Sequence, residues 1–149
     1  MDQRLDYYAT SPDGAKGLME IEKYVRKSGL EHTLLELIKM RSSQINGCAY
    51  CLDMHSKDAR KAGESEQRLY GLNAWREAPY YSDRERAALA WTEALTLVTQ
   101  GHVSDDVYEE AREHFSEKEL VDLSYAIIAI NSRNRLAIAF RSTVGSYEA

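Results

Sequence analysis

Both cysteines of the chain fall in one short stretch, Asn46-Gly47-Cys48-Ala49-Tyr50-Cys51-Leu52-Asp53-Met54-His55. If Cys48 opens a helix, Cys51 lies about 60° from it around the axis and His55 about 20° from it, at about 100° per residue. Two thiols and an imidazole then share one face. A cysteine at a helix N-terminus feels unpaired N–H groups and the positive end of the dipole, which favour thiolate, and His55 is placed to take the proton of Cys51 or stabilise its anion. Thiolate is the reactive form. A peroxide converts one sulfur to sulfenic acid, and the neighbouring sulfur condenses with it to give a Cys48–Cys51 disulfide.

Other readings of the pair are weaker. Two structural thiols would rarely land at this spacing, and Cys-x-x-Cys in a reducing compartment marks redox or metal chemistry. Cys48, Cys51 and His55, with Glu36 as a fourth ligand, make a poor tetrahedral cage because three of them ride one helix and no second Cys-x-x-Cys closes the site. Covalent haem needs a histidine directly after the second cysteine, where Leu52 stands. No metal and no other cofactor is expected. His32, His102 and His114 fall at or beside helix ends, where capping and solvation account for them.

Glu36 enters through the turn at Asn46-Gly47. If the helices on either side of that turn form an antiparallel hairpin, a residue ten positions before it sits level with one nine or ten after it, so Glu36 faces the neighbourhood of His55. A carboxylate there orients the imidazole and tunes its basicity, giving a Glu36–His55–Cys51 proton relay.

The elements that must hold these groups read as helices throughout. After a polar, turn-prone opening ending at Ser11-Pro12-Asp13-Gly14, the residues Leu18, Ile21, Tyr24 and Val25 recur at helical spacing and stop near Gly29. Leu34, Ile38 and Ile45 mark a second helix ending at Asn46-Gly47, and Cys48 opens a third running to Ala62-Gly63, whose inner stripe of Cys48, Leu52, His55, Ala59 and Ala62 is mostly small. Ser82 with Glu85 forms a capping box ahead of Ala87, Trp91, Ala94, Leu95 and Val98. Ser104 caps a shorter helix to about His114, and Ser116 with Glu119 forms a second capping box ahead of Leu120 to Phe140. That last helix is apolar nearly all round, which predicts a central core helix or one partly covered by another subunit. Its polar block from Asn131 to Arg135, with Asn134 inside it, is expected to make structural contacts, either between subunits or beside the pocket. Tyr7, Tyr8, Tyr70, Tyr80 and Tyr81 suit subunit contacts.

Composition bounds the rest. With 149 residues, 44% apolar and 29% charged, the chain fits one soluble domain with a single core. A net charge of -5 argues against a nucleic-acid binder, which needs clustered Lys and Arg. The polar start Met1-Asp2-Gln3-Arg4 shows no signal or anchor, and the apolar stretch Tyr125 to Ile130 is far too short to span a bilayer, so a cytoplasmic protein away from the membrane is expected. Neither an internal repeat nor an alternating strand pattern competes with the helices.

Glu36 twelve residues ahead of Cys48, then Cys-x-x-Cys and a histidine four after Cys51, resembles the core motif of the alkylhydroperoxidase D / carboxymuconolactone decarboxylase family. The likeness is most specific over Leu34 to Gly63 and weaker through Ser82 to Val98 and Asn131 to Arg135. It implies an all-α helical bundle of this type over residues 1–149, with 1–15 as an N-terminal extension and 34–63 as the redox core hairpin. It implies trimers or hexamers, and reduction of a hydroperoxide in which Cys51 attacks, Cys48 resolves, and His55 and Glu36 relay protons. Reducing equivalents would come from a partner dithiol such as a lipoyl protein. The peroxidase prototype carries a second histidine directly before the attacking cysteine, where this chain has Tyr50. Two further expectations stand beside this one: a lactone decarboxylase relative acting on a small organic acid without thiols, and a non-catalytic redox sensor.

Overall fold

The computed structural model describes residues 1–149, folded as α-helices with two single turns of 3-10 helix and no strand. The helices are α1 (Tyr7–Thr10), α2 (Pro12–Arg26), α3 (His32–Asn46), α4 (Ala49–Lys61), α5 (Glu66–Tyr70), α6 (Asp83–Thr96), α7 (Asp105–His114) and α8 (Glu117–Phe140). Hydroxyls cap them where the sequence predicts. Ser82 and Ser116 each accept from the backbone N–H of the glutamate three residues on, and Glu85 and Glu119 reach back to complete two capping boxes. Ser104 caps α7.

The opening of the chain departs from expectation. Ser11-Pro12-Asp13-Gly14 starts α2 instead of turning, because a proline at the first helical position forfeits only an N–H that would be unpaired there anyway. Ahead of it, Asp6 accepts from the backbone N–H groups of Tyr8 and Ala9 and nucleates the one-turn α1. Within the N-terminal fifteen residues, Tyr7–Thr10 and the first turn of α2 from Pro12 are therefore helical. The five-residue α5, capped by Ser65, is too short to show a period in the sequence.

α3 is the central helix. It packs on α4, α6 and α8, and buries Leu34, Leu35, Glu36, Leu37, Ile38, Met40, Ser42 and Ser43. One core joins Val25, Leu35, Ile38, Trp91, Leu123 and Ile127 from α2, α3, α6 and α8 with Phe115 from the α7–α8 junction; a second gathers Leu37, Met40, Leu69, Leu72, Trp75 and Leu89. The final helix, expected to be central or partly covered by another subunit, packs on α2, α3, α4, α6 and α7 and buries Leu123, Ala126, Ile127 and Ile130, while Val121, Tyr125 and Ile128 form an exposed stripe on it, flanked by Tyr24 of α2 edge-on to Tyr125. No helix is long and apolar enough to cross a membrane.

The polar block of α8 works within the chain. Asn134, fully buried, donates to Ser43 Oγ at 3.0 Å and accepts from Asn46 Nδ2 at 2.9 Å; Asn46 also donates to Asn131 Oδ1 at 2.9 Å. Asn131 in turn donates to Thr96 Oγ1 at 3.1 Å. These bonds fasten the C-terminal turn of α3 to α6 and α8, immediately before the cysteine pair.

Candidate active site

The turn after Asn46 sets the geometry of everything that follows. Gly47 adopts φ 68°, the left-handed conformation that costs glycine least, and its N–H bonds to Gln44 O while the N–H of Cys48 bonds to Ser43 O. The chain reverses in one residue, and Cys48 becomes the N-cap of α4. Its Sγ accepts from the backbone N–H of Cys51 at 3.3 Å, so a helix-end amide points at this sulfur. Cys48 and Cys51 are joined as a disulfide with Cα atoms 5.3 Å apart. The buried stripe of α4 is Cys48, Cys51, His55 and Ala59, whereas Leu52 is half-buried and Ala62 exposed, a rotation of the expected stripe toward Cys51.

Antiparallel packing of α3 on α4 brings Glu36 to His55, as the hairpin register predicts. Glu36 Oε2 lies 3.4 Å from His55 Nδ1, and its other oxygen receives the Lys39 ammonium at 2.8 Å. Burial alone would push the Glu36 carboxyl up; the imidazole and the ammonium outweigh it and hold the carboxyl at about 2. Glu36 is therefore an anion at any physiological pH, although only 3% of the residue is exposed.

These groups open onto one cavity of about 560 Å³ between α2, α3, α4 and α8. Cys51, His55 and Glu36 line it; Cys48 does not, and packs behind Cys51 against Ala137. Several residues that sequence reasoning assigned elsewhere also face it. His32, set aside as a solvated helix end, is on its wall, as are Tyr7 and Tyr8, expected at a subunit contact. Arg133 enters from α8, bonded to Glu22 at 2.5 Å and to Tyr8 Oη at 3.0 Å. The Tyr50 hydroxyl is raised, chiefly by burial.

Arg133 falls in the Asn131–Arg135 block, one of whose two expected places was beside the pocket, whereas sequence reasoning missed Lys39, Asp58 and Tyr147. Lys39 and Asp58 carry a faint signal, each three residues along a helix from a named site residue. Tyr147 carries none. It reaches the rim because the tail after α8 runs back over α4, where its hydroxyl donates to Asp58 Oδ1 at 2.6 Å and its carbonyl accepts from Lys57 Nζ at 2.9 Å. The bond to Asp58 pushes its own hydroxyl up to about 12.

The helical hairpin, with its Cys-x-x-Cys disulfide and the Glu36–His55 pair beside one cavity, belongs to an all-α fold. The carboxymuconolactone decarboxylase family model matches residues 12–94, and the chain belongs to that family. YdfG of Bacillus subtilis, an uncharacterised protein, is 49% identical over 146 residues, covering 98% of this chain and 99% of its own. Among solved structures, ATU0492 of Agrobacterium tumefaciens, a protein of unknown function suggested to be the antioxidant defence protein AhpD, is 45% identical with a TM-score of 0.94, over 98% of this chain and 100% of that one. A peroxidase-related protein from Silicibacter shares the fold at a TM-score of 0.81 and 24% identity, over 93% of this chain and 74% of that one.

Proposed function

We propose that this protein is a thiol-dependent hydroperoxide reductase. The Cys51 thiolate, formed with His55 as base, attacks the terminal oxygen of ROOH; the O–O bond breaks, ROH leaves with a proton, and Cys51 becomes a sulfenic acid. The Cys48 thiol then condenses with it, water leaves, and the Cys48–Cys51 disulfide forms. A partner dithiol, for which a lipoyl protein is suited, returns the pair to thiols by exchange and becomes a disulfide itself. Glu36 holds the imidazole in place and stabilises it when protonated.

The observation that carries this reading is that Cys51, not Cys48, faces the cavity beside the Glu36–His55 pair, with Cys48 directly behind it. That arrangement weighs the adjacent base over the helix-end amide at Cys48 in choosing the attacking sulfur. The cavity volume leaves room for an organic hydroperoxide. Self-association through the α8 stripe of Val121, Tyr125 and Ile128 belongs to the same proposal.

The test is peroxide consumption by the reduced protein with candidate dithiol donors, comparing wild type with Cys48→Ser and Cys51→Ser. Cys51→Ser is expected to abolish consumption, and Cys48→Ser to stop after one sulfenic acid at Cys51. Thiols unchanged after stoichiometric peroxide would sink the proposal. Activity on a small organic acid that survives the double Cys→Ser change would point to decarboxylase chemistry, and a single oxidation without turnover under any donor to a sensor.

A further inference from the structure

Asp58 follows His55 by three residues on α4 and so lies one turn along the same face. One ligand atom from each of Glu36, His55 and Asp58 can be chosen so that all three lie within 4.8 Å of one another. Two of these residues carry a second feature. Glu36 Oε2 and His55 Nδ1 are buried and lack any well-formed hydrogen bond, an unusual state for polar atoms shielded from water. They stand 3.4 Å apart, and two ligands on a tetrahedral metal with bonds of about 2.1 Å are themselves separated by about 3.4 Å.

We infer that Glu36, His55 and Asp58 form a binding site for a divalent cation of the zinc class. One imidazole and two carboxylates match the ligand preference of a borderline cation; the hard calcium and magnesium ions favour oxygen alone. A histidine and a carboxylate three residues apart on one helix, facing a glutamate from the next helix, share the i, i+3 spacing of the Glu-x-x-His motifs with which helix bundles hold metals, in the reverse order. Three protein ligands leave a further position directed at the cavity. Lys39 on the other Glu36 oxygen orients that carboxylate, as outer partners of metal ligands do. The tail contributes likewise, since the Tyr147 hydroxyl fixes Asp58 through Oδ1. No cysteine belongs to the set, so binding requires no free thiol.

A cation on Nδ1 displaces the Glu36 contact and takes His55 out of the relay. Occupancy therefore slows oxidation of the thiols by peroxide, a consequence that rests on the peroxidase reading, whereas binding does not.

The experiment titrates zinc ion alone into the full-length disulfide form by calorimetry near neutral pH. One site per chain is expected, weakened at least roughly tenfold by Asp58→Asn and by Glu36→Gln, since loss of outer partners alone costs about 10–100-fold. Circular dichroism of each variant reports that it is folded. Absence of binding, binding indifferent to both substitutions, or binding only after the disulfide is reduced would each overturn the site. Cobalt as a spectroscopic substitute should give ligand-field bands in the oxidised and in the reduced protein without thiolate charge transfer; a thiolate band in the reduced protein would overturn this ligand set. Peroxide oxidation of the reduced protein, with and without zinc, reads the consequence separately: an unchanged rate at saturating zinc removes the inhibition and leaves the site standing.

Discussion

Lys39 and His55 hold opposite oxygens of the same carboxylate: the ammonium is 2.8 Å from Glu36 Oε1 and the imidazole 3.4 Å from Oε2. The pair keeps a buried glutamate ionised, and that has a cost in acid. Because the folded carboxyl titrates at about 2, below its ordinary 4.5, the stability it contributes is complete above the unfolded value and is lost as pH falls through that interval. The size is on the order of 3 kcal/mol. Urea midpoints measured between pH 7 and pH 3 should fall for wild type and change less for Glu36→Gln; parallel profiles would contradict this.

Removing the ammonium separates its share from that of His55. Lys39→Met should raise the Glu36 carboxyl toward its ordinary value, which narrows the interval over which stability is lost and makes the acid loss smaller, with the neutral-pH fold intact. An acid loss of unchanged size would show that Lys39 is a bystander.

Truncating the imagined base tests the thiol chemistry without any peroxide. His55→Ala should slow alkylation of Cys51 by iodoacetamide near pH 7 by up to about 30-fold, because an ordinary thiol titrating near 8.5 is still about 3% thiolate there. Mass mapping of the alkylated peptide identifies the sulfur. A rate equal to wild type would remove His55 from the mechanism.

The asparagine network predicts a purely structural penalty. Asn134→Ala strips partners from Ser43 and Asn46 in a site closed to water, which costs about 1–3 kcal/mol. A drop in Tm of the size that figure implies should appear in thermal melts, and a melt like wild type would show that water replaces the lost side chain.

Sequence and structure agree most closely where local rules act alone. The two capping boxes, the Ser104 cap and the glycine stop at Gly47 each depend on residues within a turn of one another, so the bounds of α6, α7, α8 and the α3–α4 reversal were readable. Glu36 opposite His55 followed from the same reversal by counting along two antiparallel helices. Position within the bundle was readable only in part. The apolar circumference of α8 pointed to a helix that is central or partly covered, and it packs on five helices with Val121, Tyr125 and Ile128 left as an exposed stripe; that α4, α6 and α8 all close on α3 was not visible in its composition. The polar block holding Arg133 was open to a place beside the pocket, but Tyr147 arrives through a contact about ninety residues distant in sequence, which no period records.

Both ends of the chain are anchored at the mouth of the cavity, Tyr7 and Tyr8 on one side and Tyr147 on the other, with Arg4 bonded to the backbone of Phe140 between them. The segment around Tyr147 is thus part of the cavity wall itself, and whatever lifts it away, such as a change that breaks its bond to Asp58, opens that wall and frees a carboxylate beside Cys51 and His55 in one movement.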